Sequence, residues 1–154
     1  MQKVVGSVFF RSFLLAGIIS LAFSQSGCFL APAIDSFKRA GLTASDRTRL
    51  LGERLKEYHE AIAWGDTDLA LQYVEAEKRG EIRPIIETMS NEEKVTDTKV
   101  MSSIFDDSAS NATIRIKIKS YKIPYYVVKD RIDEEEWEYS MSDGWLLKGL
   151  KRGS

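Results

Sequence analysis

IRIKIK, residues 114–119, alternates apolar and basic side chains without interruption. A period of two residues is typical of a β-strand with one buried and one solvated face. A second stretch, EEEWEYSM at residues 134–141, again alternates and carries its apolar side chains at odd-numbered positions from Trp137 onward. These two stretches predict a pair of strands around which the rest of the chain is organised.

The two patterns agree on one strand register. If the strands pair antiparallel through a tight turn at Lys129 and Asp130, an even-numbered residue of the first lies opposite an odd-numbered residue of the second. The predicted apolar face holds Ile114, Ile116, Ile118, Trp137, Tyr139 and Met141. The basic side chains of the first strand then share the solvated face with glutamates of the second, and each such pair contributes about 0.2–1 kcal/mol.

Turn residues and weaker patterns complete a meander of four strands. Ser142-Asp143-Gly144 is a three-residue hairpin loop with glycine at the position of positive φ, and a further strand follows it. Pro124 predicts a bulge or bend between residues 120 and 126. Residues 94–105 alternate weakly and predict an additional strand before the pair, with a turn at residues 106–111.

Helical patterns precede the strands. Ser45 or Asp46 caps a first helix, which Gly65 ends. The apolar stripe of this helix consists of Leu51, Leu55, Tyr58 and Ile62. Asp66 caps a second helix, and a third, more polar helical stretch spans roughly residues 75–90. Helices followed by an antiparallel sheet of four strands indicate the α+β class.

Residues 1–27 have the features of a signal peptide. Lys3 and Arg11 form a basic flank, and the apolar run at residues 12–23 is too short to span a bilayer, which takes about 20 residues. A longer helix would place Arg11 inside the membrane, which is costly. We therefore interpret this segment as one that is removed.

The residues that follow resemble a bacterial lipoprotein signal. Ser26-Gly27 precedes Cys28, the single cysteine of the chain. The resemblance implies that Cys28 is lipidated and anchors the protein to the membrane, with residues 28–45 as a tether. Phe29 in place of an aspartate implies the outer membrane of the bacterial cell envelope, on its periplasmic face. The open alternative is ordinary secretion with cleavage after Ala31-Pro32-Ala33.

Length and charge limit the remaining possibilities. A mature chain beginning at Cys28 has 127 residues and a net charge of −3, because the removed segment carries only two charged residues, both basic. That length is enough for one domain with its own core. The absence of a dominant basic patch argues against nucleic acid as a partner.

Two further motifs resemble the NTF2-like, or cystatin-like, superfamily. One is WGDTDLA at residues 64–70 followed by Tyr73-Val74, and the other is Trp137-Glu138-Tyr139 closing on Gly144-Trp145. The resemblance covers about residues 46–151 and implies three helices packed on a strongly bent sheet, which form a cone with a cavity. The superfamily includes isomerases, dehydratases and non-catalytic domains, so the resemblance implies a fold and not an activity.

Two residues are candidates for acid–base chemistry. His59, the single histidine, lies beside the apolar stripe of the first helix. It is either a general base or a partly exposed and inert side chain. Glu135 points by parity to the apolar face, where a carboxyl group can act as acid or base. The alternative is that Glu135 reaches water near the open end of the hairpin. One histidine and one cysteine exclude the usual zinc and Cys/His nucleophile sites, and no cofactor is predicted.

Aromatic side chains are the remaining candidates for a binding site. The candidate ligand or partner residues are Tyr58, Trp64, Trp137, Tyr139 and Trp145. Core packing uses the same residue types and is the first interpretation. The predicted function is that of a membrane-anchored envelope lipoprotein whose domain binds a partner protein or an apolar ligand without catalysis. The alternative is a small-molecule enzyme of isomerase or dehydratase type that uses Glu135 or His59.

Overall fold

The computed structural model describes residues 40–153, which form helices followed by a four-stranded antiparallel sheet. The elements are α1 (Ala44–Trp64), α2 (Thr67–Gln72), α3 (Arg79–Asn91), β1 (Glu93–Phe105), β2 (Asn111–Lys122), β3 (Lys129–Ser140) and β4 (Gly144–Lys151). A short 3-10 helix, Ala76–Lys78, joins α2 to α3. The strands lie in the order β1-β2-β3-β4, so each pairs with its neighbour in sequence. The α+β prediction is confirmed.

The ends of the first two helices follow from capping residues. Thr43 caps α1, because its hydroxyl accepts a hydrogen bond from the backbone N–H of Asp46 at 3.1 Å; the predicted caps, Ser45 and Asp46, were therefore two or three residues too late. Gly65 ends α1 with φ at 79°, as predicted. Asp66 caps α2 by accepting from the backbone N–H of Leu69 at 2.9 Å, also as predicted.

Gly65 is expected to tolerate a side chain poorly. Gly65→Ala forces an L-residue into the left-handed region and should lower the free energy of unfolding by about 1–2 kcal/mol, measured by urea denaturation. The added Cβ would meet only ordinary contacts, so the cost is conformational. Gly52→Ala is the matched control, because Gly52 lies inside α1 with open space around its Cβ position. That change should stabilise the domain by about 0.5–1 kcal/mol. Equal effects from both changes would contradict the conformational argument.

The register of β2 against β3 has the predicted parity. Ile114 lies opposite Glu135 and Ile116 lies opposite Asp133. The predicted turn at Lys129 and Asp130 is wrong, because both residues belong to β3 and Lys129 pairs with Ser120. The strands extend further because the end of β2 also pairs with the start of β1. The turn occupies residues 123–128 instead, so Pro124 lies in the turn and makes no bulge in β2.

The register places the basic residues of β2 on the same face as the glutamates of β3, as predicted, but the described ion pair between these two strands joins Lys117 to Asp130. The glutamates of β3 contact lysines of β4: Lys151 lies 2.8 Å from Glu136 and 3.4 Å from Glu134, and Lys148 contacts Glu138. The physical reason is that β3 is flanked by strands on both sides, and the parity argument considered only β2. These pairs are exposed to solvent and screened by it, so they contribute little to stability.

The core lies between the helices and one face of the sheet. The predicted stripe of α1 is buried, as are the isoleucines of β2. The largest fully buried apolar side chains are Trp137, Trp145, Tyr58, Leu51, Ile82, Ile86, Met89, Ile114, Ile116, Ile118 and Leu147. Met141, predicted on the apolar face, lies in the turn after β3 and is 63% exposed, because the strand ends at Ser140.

Candidate functional site

The inner face of β3 carries charged side chains into the core. Arg131, Asp133, Glu135 and Trp137 occupy alternate positions of the strand, so they point to the same side, and we call them the inner row. Asp133 and Glu135 are fully buried, which is rare for carboxylates unless they are paired. Their partners come from other elements of the fold.

Glu135 is held by two side chains. One carboxylate oxygen, Oε2, accepts a hydrogen bond from the indole Nε1 of Trp137 at 3.0 Å. The other, Oε1, lies 3.1 Å from Nε2 of His59. The interpretation that Glu135 reaches water is wrong, because β3 begins at Lys129 and Glu135 therefore lies in the middle of the sheet, opposite Ile114. The fold thus brings the two acid–base candidates together.

His59 is 5% exposed, so the expectation of a partly exposed side chain is wrong. Helix α1 places it against the inner row, and its ring packs edge-on against Tyr58 with the centroids 5.0 Å apart. Within residues 40–153, neither ring nitrogen makes a hydrogen bond of standard geometry, so the approach to Glu135 is a short polar contact. His59 also lines a cavity of about 510 Å³ between α1 and β1, and Glu135 lies behind it.

Tyr58 adds an unsatisfied hydroxyl to this cluster. The side chain is fully buried, and its oxygen has no hydrogen-bond partner among the described residues. Burial raises the pKa of Tyr58 well above 10, and the nearby carboxylates Glu135 and Asp133 raise it further. The neutral phenol is therefore the stable form in the folded protein.

Removing the hydroxyl of Tyr58 is expected to stabilise the protein. Tyr58→Phe should raise the free energy of unfolding by about 1 kcal/mol at pH 7, because a buried unpaired group costs about 1–3 kcal/mol. Above pH 10 the unfolded chain releases the proton of Tyr58, whereas the folded chain retains it. This difference lowers the free energy of unfolding of the parent by roughly 1.4 kcal/mol per pH unit, and the variant lacks this contribution. Denaturation at several alkaline pH values measures the widening difference. Tyr126→Phe, at an exposed position, is the control and should leave the profile unchanged.

A second buried cluster surrounds Arg131. Its Nε lies 3.0 Å from both carboxylate oxygens of Asp133, and its Nη1 donates to Glu93 at the start of β1. Arg152 donates to the other oxygen of Glu93 at 2.7 Å, and the backbone N–H of Gly153 donates to Asp133 at 3.0 Å. Burial alone would raise the pKa of Glu93, but the hydrogen bonds from both arginines outweigh it and lower that pKa. This network was not predicted. The sequence did contain a signal for it, because Arg131 and Asp133 are odd-numbered like Glu135 and therefore lie on the same face of the strand.

A pocket of about 500 Å³ lies between this network and the turn after β2. We call it the tip pocket, and its main lining residues are Tyr121, Tyr125, Val127, Lys129, Arg131 and Arg152. Aromatic and aliphatic side chains form part of its wall, and its charged lining combines four basic side chains with the carboxylates of Glu93 and Asp130. It was not predicted either, because residues 123–128 were interpreted as a bend within a strand.

The five aromatic candidates have different positions. Tyr58, Trp137 and Trp145 are buried in the core, which was the first interpretation, so they contact no partner directly. Tyr139 packs edge-on against Trp145 and donates its hydroxyl to the backbone oxygen of Ala40 at 2.6 Å. Trp64 is 79% exposed at the end of α1. The lipidation candidate Cys28 lies outside the described residues.

Comparison with known proteins supports the fold. No protein-family model and no curated protein matches the chain. The solution structure of RPA3114, a SEC-C motif-containing protein from Rhodopseudomonas palustris, is similar with a TM-score of 0.54 and 12% sequence identity. The match covers 70% of this chain and 89% of that one. At this identity the similarity concerns the fold alone. No helix within residues 40–153 is both long and apolar enough to cross a membrane.

Proposed function

We propose that the chain is a lipoprotein of the bacterial cell envelope, anchored through Cys28, whose single NTF2-like domain binds a small apolar ligand without transforming it. The order of elements, three helices and then an antiparallel meander, supports the NTF2-like assignment. Irregular register in β1 and between β3 and β4 supports a bent sheet, because bulges bend the strands that carry them.

The tip pocket is the observation that carries the binding function. Its volume of about 500 Å³ lies within the range of small-molecule sites. Neither His59 nor Glu135 lines it, so the two acid–base candidates do not reach a ligand held there. The lining carries four basic and two acidic side chains, a net positive charge that suits the acidic end of an amphiphile, such as the carboxylate of a fatty acid.

A dansyl-labelled undecanoate tests this function, because it combines a carboxylate with an alkyl chain. In Tyr125→Ser we expect the Kd of the probe to rise at least tenfold, since Tyr125 forms part of the apolar wall. Trp64→Ser removes an equally exposed aromatic side chain that does not line the pocket, and should leave the Kd unchanged. Circular dichroism verifies the fold of both variants. Equal affinities for the parent and Tyr125→Ser would contradict the proposal.

The anchor is tested by the intact mass of protein purified from the membrane fraction, beside a Cys28→Ala variant. A mature chain that begins at Cys28 and carries the mass of acyl chains is expected for the parent. A soluble chain beginning after Ala33, unchanged by the substitution, would contradict the lipoprotein assignment. In that case the ligand-binding domain would be secreted, and the pocket assay would still apply.

One observation favours a second candidate, an isomerase or dehydratase. His59 lines the cavity between α1 and β1, and Glu135 lies 3.1 Å behind it, so the two acid–base candidates are adjacent at the wall of that cavity. A turnover of a small molecule that Glu135→Gln abolishes with the fold intact would support this function. It would not require the tip pocket, so Tyr125→Ser should leave such a turnover unchanged.

A further inference from the structure

The turn between β2 and β3, residues 123–128, is an exposed apolar surface, which we call the tip. Its sequence is IPYYVV, and five of its six residues are large apolar or aromatic side chains that are more than half exposed: Ile123, Tyr125, Tyr126, Val127 and Val128. Single exposed apolar residues are ordinary on soluble proteins, but contiguous ones mark interaction sites. The tip is therefore a candidate interaction surface.

The charge around the tip is positive. Residues 117–131 contain five basic side chains and one acidic one, but Lys117, Lys119 and Arg131 are ion-paired with acidic residues of β1 and β3. Residues 133–138 of the same hairpin contain five acidic side chains and no basic one. Lys122 and Lys129 flank the tip directly and both are exposed, and Lys122 also lies 3.7 Å from Glu92. These two lysines supply the positive charge beside the tip.

The structure assigns to this tip the headgroup region of an anionic lipid bilayer as its binding partner. Aliphatic side chains enter the apolar boundary, tyrosines prefer the depth of the headgroups, and flanking lysines are attracted by anionic lipid. A protein partner is less suited to this shape, because a standard protein interface takes about 20–30 residues from each side and the tip offers six.

The position of the tip distinguishes this contact from the anchor. The backbone oxygen of Ala40 accepts a hydrogen bond from Tyr139 near the end of β3, whereas the tip lies just before Lys129, where β3 begins. Twelve strand residues separate these ends by about 36 Å. The segment from Cys28 to Ala40 reaches up to about 40 Å, so an anchored chain can lay its hairpin along the membrane. The inference rests on the described residues and does not require lipidation.

Site-specific fluorescence tests the contact, because Cys28→Ala removes the single cysteine of the chain. In that full-length background, Val128→Cys places an environment-sensitive label on the tip, and Asp107→Cys places one in the turn between β1 and β2, at the other end of β2. Vesicles contain phosphatidylcholine alone or equal parts phosphatidylcholine and phosphatidylglycerol. We expect a blue shift at position 128 with anionic vesicles only, and no shift at position 107.

The lysines provide a second measurement. In the double variant Lys122→Gln/Lys129→Gln, the lipid concentration that gives half of the maximal shift at position 128 should rise about 30-fold. The reason is that each lysine near an anionic surface contributes about 1 kcal/mol to binding. Lys56→Gln with Lys78→Gln, on helical segments, removes the same charge and should have little effect. No shift at position 128, an equal shift with uncharged vesicles, or equal shifts at positions 128 and 107 would overturn the proposal. The undecanoate assay contains no vesicles, so the pocket and the membrane contact fail independently.

Discussion

Replacing Arg131 with methionine is expected to lower the free energy of unfolding by about 3–5 kcal/mol, because it leaves buried carboxylates without their partner. Asp133 is fully buried and Glu93 is 6% exposed. Asp133 would retain only the backbone N–H of Gly153 as a described partner, and Glu93 would retain Arg152. Methionine keeps an apolar chain of similar length, so the loss reports the charge and its hydrogen bonds. Urea denaturation at neutral pH measures it.

Two companion variants make this prediction specific. Arg83→Met removes an arginine whose ion pairs with Asp68 and Glu87 are exposed, and should cost at most about 1 kcal/mol. Adding Asp133→Leu to Arg131→Met should restore part of the lost stability, because it removes one unpaired carboxylate. If the double variant lost as much free energy of unfolding as the two single variants lose together, the view that the unpaired charge causes the loss would be contradicted.

The pH dependence of stability follows from the same network. The pKa of Glu93 is lowered in the folded state, so its contribution is present above the unfolded pKa of about 4.3 and is lost as pH falls through the folded value. Glu93→Gln should therefore be less stable at pH 7 and should show a shallower loss of stability on acidification below about pH 5 than the parent.

The strand pair was predictable because its signal is local. The alternation in residues 114–119 and 134–141 depends only on which face each side chain occupies, and that face is buried from Ile114 to Ile118 and at Glu135 and Trp137. The turn was not predictable from the same signal. Lys129 and Asp130 are polar and turn-like, yet they remain in β3 because β2 is held in place as far as Lys122 by its pairing with Glu93. That contact is distant in sequence.

The environment of the inner row depended on distant partners as well. The parity correctly placed Glu135 on the apolar face, but nothing near it indicates that a helix would supply His59. The apolar run at 123–128 was visible in the sequence. Pro124 led to its interpretation as a bend, because a proline within an alternating pattern indicates a bulge as readily as a turn. Only the exposure of its side chains shows that it is a surface.

Glu135 and His59 are expected to be energetically coupled, which a double-mutant cycle measures. Glu135→Leu leaves the indole Nε1 of Trp137 without its acceptor and removes the polar contact of the imidazole, and His59→Leu leaves Glu135 with one partner. Each single change should cost about 3 kcal/mol, because each leaves buried polar groups or a buried charge unpaired. The double variant should cost about 1–3 kcal/mol less than the sum, since the removed groups were paired with each other.

The control cycle combines Glu135→Leu with Arg83→Met, whose ion-pair partners are unrelated to the inner row, and should be additive within about 0.5 kcal/mol. A coupling that differs from the control supports the 3.1 Å contact as an interacting polar pair. Additivity in both cycles would mean that His59 and Glu135 are adjacent without interacting. The enzyme alternative would then lose the geometric support that this contact gives it, whereas the proposal for the tip pocket, which neither residue lines, would be unaffected.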